Sequence, residues 1–151
     1  MPHTPTVLCV DDDPTILNSQ KEVLESAGFS VLIARSGPEA IHLFHSRAID
    51  IVLMDYLMTG MTGVKVAEKM KALKPKTPII FLSAYSELPG ESLGLAEQWM
   101  KKGEKDPEQL ISLVRALSER VAQNLDCTAQ QHFGRKGSLK TSHRTINSRN
   151  R

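Results

Sequence analysis

The chain's five short apolar runs each stop at a polar or charged residue, and this repeated ending constrains the fold more than any other feature. Val7-Leu8-Cys9-Val10 stops at Asp11-Asp12-Asp13, and Ile51-Val52-Leu53-Met54 stops at Asp55. Ile79-Ile80-Phe81-Leu82 stops at Ser83, and Trp99-Met100-Lys101 stops at Lys102. Longer stretches with helical spacing separate the runs, which is the βαβ pattern of a parallel α/β sheet. In an open parallel sheet the C-terminal strand ends share one edge, and ligands bind there. Three carboxylates, a hydroxyl and an ammonium are therefore expected in one pocket. That set suits a divalent cation and a phosphoryl group.

The helical stretches carry their own start and stop signals. Residues 14–27 place Ile16, Leu17, Val23, Leu24 and Ala27 at helical spacing, with an acidic cap before Pro14 and Gly28 as the stop. Residues 29–34 read as a second strand, and Ser36-Gly37-Pro38-Glu39 opens a helix with Ala40, Ile41, Leu43 and Phe44. Residues 49–55 form the third strand. The loop Thr59-Gly60-Met61-Thr62-Gly63 leads into a helix with Val64, Val66, Ala67, Met70 and Leu73. Residues 79–83 are the fourth strand. Residues 84–97 hold Pro89, Gly90 and Gly94, so a helix there is short or broken. Gln98–Lys101 is a brief fifth strand, and Asp106-Pro107-Glu108-Gln109 caps a last helix that ends near Leu125.

At 151 residues the chain can bury one real core, and no apolar run approaches the roughly 20 residues that cross a bilayer. The N-terminus has no secretory pattern. Cys9 lies in an apolar run and Cys127 in a polar one, so a disulfide is not expected and a reducing cytoplasm fits. Charge is uneven. Residues 126–151 carry six Lys+Arg against Asp126 alone, whereas the first 125 residues hold 13 basic and 16 acidic side chains. The expected organisation is one domain over 1–125 and a basic, disordered tail over 126–151, solvated and without a specific ligand.

One acid suffices to cap a helix, and Asp13 beside Pro14 takes that role. Asp11 and Asp12 are then surplus. Crowded carboxylates resist ionising together unless a cation holds them. Mg²⁺ is the natural candidate, because it takes a few carboxylates along with water and phosphate oxygen. Asp55 at the same edge could act as a carboxylate nucleophile and form an acyl phosphate. Lys102 could pair with a phosphoryl oxygen and Ser83 could donate to another. A serine in a turn or a lysine on a surface is unremarkable; their joint placement at strand ends is not.

These motifs resemble a known family. Val10-Asp11-Asp12-Asp13-Pro14, the stretch from Met54 to Gly63, Leu82-Ser83-Ala84 and Met100-Lys101-Lys102 together look like a response-regulator receiver domain of bacterial two-component signalling, over residues 5–123. The resemblance implies a flavodoxin-like, doubly wound sheet of five parallel strands, order 2-1-3-4-5. It implies Asp55 as phosphoacceptor, with a sensor histidine kinase or phosphotransfer protein as donor. Asp12, Asp55 and the backbone carbonyl of Leu57 would ligate Mg²⁺, with Asp11 acting mainly through water. Ser83 would be the switch hydroxyl, Lys102 the phosphate-pairing lysine and Trp99 the switch aromatic. Trp99 reads equally as a partly buried packing residue. The implied output surface is the face made by the family's fourth helix, fifth strand and fifth helix. The resemblance also admits a homodimer.

The chain departs from the family where Thr59 and Gly103 replace the usual prolines, and where the segment between Ser83 and Trp99 is short. Leu57 and Tyr85 offer no carboxylate or amide to orient a hydrolytic water, so slow self-dephosphorylation is expected. Two rival readings stand beside the switch. Asp11-Asp12-Asp13-Pro14-Thr15 also fits the nucleophile loop of haloacid-dehalogenase-type phosphatases, which would use Asp11 but leave Asp55 idle. A receiver fold could also serve as a binding module without phosphorylation. No DNA-binding domain, enzyme domain or membrane segment is expected, and the output would be docking to a protein target.

Overall fold

The computed structural model describes residues 3–60, 62–84, 94–96, 98–102 and 106–121. The chain divides into two units, residues 1–118 and residues 119–151, and the second contributes only 119–121 to the described residues. In the first unit β1 (Thr6–Val10), α1 (Pro14–Ser26), β2 (Ser30–Ala34), α2 (Gly37–Ser46), β3 (Ile51–Asp55), α3 (Gly63–Leu73), β4 (Ile79–Ser83) and β5 (Gln98–Lys101) follow one another. A last helix, α4, covers residues 107–121. All strand pairs are parallel, and the order is β2-β1-β3-β4-β5. The fold is the one expected.

The unbroken apolar runs follow from burial on both faces of the sheet. Alternate residues feed two cores. Leu8, Val10, Val52, Met54, Ile79 and Phe81 pack with Ala40 and Phe44 of α2 and with Val66, Ala67 and Met70 of α3. Val7, Cys9, Ile51, Leu53 and Ile80 pack with Leu17 and Leu24 of α1 and with Val114 and Leu117 of α4. Burial pushes the Cys9 thiol up to about 12, which suits an inert packing residue.

The boundaries moved where turns claimed residues. Phe29 is not in β2. It completes a Schellman closure of α1, in which the Phe29 N–H donates to Leu24 O and the Gly28 N–H to Glu25 O, with Gly28 at φ +96°. Residues 49 and 50 precede β3. The Asp50 carboxylate accepts from the Thr6 N–H at 2.8 Å and from His3 Nε2 at 2.9 Å, fixing the start of the sheet. Leu73, expected in the apolar stripe of α3, is 46% exposed because the helix ends there beyond the core. Gln20, unread in the sequence, is buried on α1. Asp13, Ser36, Thr62 and Asp106 each accept a backbone N–H at a helix start. The helix expected in residues 84–97 and the segment 126–151 lie outside the described residues, apart from 84 and 94–96, which are not helical.

Gly63 marks a close approach. A Cβ there would collide with the backbone carbonyl of Asp55 and sit 3.1 Å from Met54 Cγ. The Gly63 N–H also donates to Tyr56 O at 2.9 Å. Gly63→Ala is expected to cost about 2 kcal/mol, since the clash is with backbone and not with a flexible side chain. The shift in urea midpoint measures it, and an unchanged midpoint would show that the helix start yields freely.

Candidate functional site

The carboxyl ends of β1, β3 and β4 place the predicted groups. Asp11 follows β1, and its N–H extends the ladder to Ala34 O at 3.1 Å, so it is fully buried. Asp55 closes β3 and is 3% exposed. Asp12 is exposed at the loop after β1. One carboxylate oxygen from each of Asp11, Asp12 and Asp55 lies within 4.8 Å of the others. Lys102 follows β5, and its backbone N–H donates to Ser83 O at 2.6 Å. Its ammonium reaches back to the acids, 3.0 Å from Asp55 Oδ2 and 3.0 Å from Asp11 Oδ2.

The electrostatics are those of a cluster short of positive charge. Burial raises the Asp55 carboxyl above its ordinary range; the Lys102 hydrogen bond pulls it down, and the Asp11 charge adds to the rise. Burial opposes the Lys102 ammonium, but Asp11 and Asp55 together outweigh it, so Lys102 holds its proton above the usual lysine range. Asp12 is held below its usual range, first by the Thr59 hydroxyl and then by the Thr59 N–H. Asp11 Oδ1 accepts from the Asp13 N–H at 2.9 Å. Asp11 Oδ2 is buried beside the Lys102 ammonium but lacks an aligned hydrogen bond among the described residues. Three converging carboxylates with one such oxygen form a hard, oxygen-only donor set that fits a small divalent cation.

Ser83 ends β4 in register with Lys101 and is buried, so it stands at the same edge. Leu57 is half exposed two residues beyond Asp55, and its backbone bridges Thr62. Trp99 is not brought to the cluster. It pairs in register with Phe81, back along β5, and is 41% exposed. At that exposure Trp99 is partly buried on β5, an edge strand of the sheet. Gly103 and Tyr85 lie outside the described residues.

The sequence reading missed Thr59, noted there only as a lost proline. Its N–H and its hydroxyl both donate to Asp12 Oδ2, at 3.1 and 2.8 Å. The signal was the substitution itself, since proline has neither donor.

The family model for the response regulator receiver domain matches residues 7–115. The chain belongs to that family. The receiver is 34% identical over 119 residues to the transcriptional regulatory protein CpxR of Escherichia coli, a match covering 76% of this chain and 49% of CpxR. It spans half or less of the curated relatives' length, 30% in the case of the E. coli regulator GlrR. Among solved structures, a CheY-like receiver domain from Methanospirillum hungatei superposes with TM-score 0.76 at 26% identity, over 81% of this chain and 99% of that one. The response regulator TrrA of Thermotoga maritima, solved in complex with Mg²⁺-BeF, gives TM-score 0.71 at 32% identity, over 76% of this chain and 99% of TrrA. TrrA has also been solved in complex with the histidine kinase ThkA. Receivers of this family are regulatory switches, and membership removes the ground for reading Asp11 as a phosphatase nucleophile. Among the described residues no helix is long and apolar enough to cross a membrane.

Proposed function

We propose that this receiver is a phosphorylation-dependent switch in which Asp55 accepts a phosphoryl group from a phosphohistidine on a sensor kinase or phosphotransfer protein. The observation that carries this reading is the Lys102 ammonium, 3.0 Å from both buried carboxylates at the strand ends. A carboxylate oxygen of Asp55 forms a bond to phosphorus as the phosphorus–nitrogen bond breaks. The electron pair returns to the imidazole nitrogen, and the other ring nitrogen keeps its proton. The product is an acyl phosphate. Lys102 then exchanges a carboxylate partner for a phosphoryl oxygen, and the Ser83 hydroxyl, at the same edge, donates to another.

Mg²⁺ would be held by Asp12, Asp55 and the Leu57 carbonyl, with Asp11 acting through water, and it would offset the negative charge of the phosphoryl group. The Mg²⁺-BeF complex of TrrA supports that choice, and its complex with ThkA supports a histidine kinase as donor. The readout passes to a protein target through the edge that carries the exposed Trp99. In this reading the receiver covers residues 1–125 and works in the cytoplasm, and the basic segment 126–151 follows it in sequence.

Trp99 is the only tryptophan, so it reports the switch. Mg²⁺ and beryllofluoride should change its emission in the wild type and not in Asp55→Asn. A competent donor should add about 80 Da, one phosphoryl group, at Asp55. If no adduct forms on the wild type with metal present, the phosphoacceptor reading fails and a binding module remains. Leu57 is well placed to govern lifetime, since it stands half exposed two residues beyond Asp55 and its backbone hydrogen-bonds the Asp55 carboxylate. Leu57→Asn combined with Tyr85→Glu is expected to speed loss of the phosphoryl group on the order of tenfold, by orienting a water. An unchanged lifetime would refute that role.

A further inference from the structure

We propose that Thr59 is a positioning residue that clamps Asp12 and thereby sets both the affinity of the carboxylate cluster for Mg²⁺ and its preference for Mg²⁺ over Ca²⁺. The inference deepens the magnesium reading above and rests on it. Asp11 and Asp55 are fixed by burial and by Lys102. Asp12 has neither constraint, because it is exposed. Its carboxylate is held by Thr59, which sends two donors to the same oxygen, the hydroxyl at 2.8 Å and the N–H at 3.1 Å. The two residues are 47 positions apart, so the contact ties the loop after β1 to the loop after β3.

Two consequences follow from elementary coordination chemistry. An exposed aspartate free to change rotamer must be ordered when it binds a cation, and a clamp made beforehand removes that cost. Outer hydrogen bonds to ligating carboxylates change metal affinity for this reason. Both donors also engage Oδ2, which leaves Oδ1 as the less encumbered oxygen. A carboxylate offering one oxygen suits Mg²⁺, which takes a compact octahedron with several waters. Ca²⁺ takes six to eight oxygens, often with bidentate carboxylates. A proline at this position, which the resemblance gives as usual in the family, has no donor and could not form the clamp.

The test is isothermal titration of the full chain with Mg²⁺ and with Ca²⁺, without a phosphoryl donor, for wild type, Thr59→Val and Thr59→Ser. Valine keeps the shape and the N–H but loses the hydroxyl. It is expected to weaken Mg²⁺ binding about tenfold and Ca²⁺ binding less, so that the preference narrows. Serine keeps both donors and should stay within about twofold of wild type for each ion. Urea midpoints without metal should coincide for serine and wild type and fall slightly for valine, whose lost hydroxyl bond helped to hold Asp12 ionised. The clamp is overturned if valine binds Mg²⁺ as tightly as wild type or more tightly, if the preference does not narrow, or if serine loses as much as valine. A wild type that binds no Mg²⁺ overturns the magnesium reading itself, and the clamp with it.

Discussion

Lys102→Met is expected to cost about 3 kcal/mol of folding stability in metal-free buffer, the lower end of what removing one partner from a buried ion pair costs. Among the described residues the site holds three carboxylates against this ammonium, and two of the three are almost wholly buried. Methionine keeps the length of the side chain, and the backbone hydrogen bond from residue 102 to Ser83 O survives the change. What is lost is the charge 3.0 Å from Asp11 and from Asp55. The sign follows from the raised pKa of Lys102. Its contribution is fully present below the ordinary lysine value of about 10.4 and fades as pH rises through the raised folded value, so at neutral pH the whole cost appears. Mg²⁺ should restore part of it, because a divalent cation can take over the counter-charge. Urea midpoints with and without Mg²⁺ measure both effects. Equal midpoints for wild type and variant in metal-free buffer would mean that the carboxylates do not rely on the lysine.

Some of this was legible in the sequence and some was not, for identifiable reasons. The central strands were readable because β1, β3 and β4 are buried on both faces and so are runs of apolar residues, as in Ile51–Met54. The site was readable because a parallel sheet sends every strand's C-terminal end to one edge, so Asp11, Asp55, Ser83 and Lys102 had to meet. Phe29 misled because an aromatic residue beside a strand run looks like strand, while its burial serves the closure of α1. The face that Trp99 takes was not legible, because periodicity over four residues cannot tell the two faces of an edge strand apart. Thr59 was invisible as a partner of Asp12 because the contact spans 47 residues and depends on how two loops meet. Gly63 read as a loop glycine, and only the packed backbone shows that Asp55 O leaves no room for a side chain.

Asp55→Asn should abolish the phosphoryl adduct completely and at the same time make the metal-free protein more stable, the direction that the raised pKa of Asp55 sets. The two effects have one source. Asp55 is placed where its charge is costly, buried beside Asp11, and burial is the larger cause of its raised pKa. A carboxyl whose folded pKa is raised binds its proton more tightly in the native state than in the unfolded chain. Stability is therefore lost as pH rises through the window between the unfolded value, about 3.9, and the raised folded value, and the loss is fully present at neutral pH. Asparagine is uncharged and nearly isosteric, and it leaves Lys102 paired with Asp11. Its advantage should be full at neutral pH and should vanish as pH falls below the ordinary carboxylate range, where aspartate is also neutral. Mg²⁺ should narrow the gap at neutral pH by stabilising the wild type more than the variant. Urea midpoints across pH, taken alongside intact-mass measurements with a phosphoryl donor, test the two halves together. A variant less stable than wild type at neutral pH would show that Lys102 repays the burial of Asp55 in full, and that the nucleophile is not held at the expense of the fold.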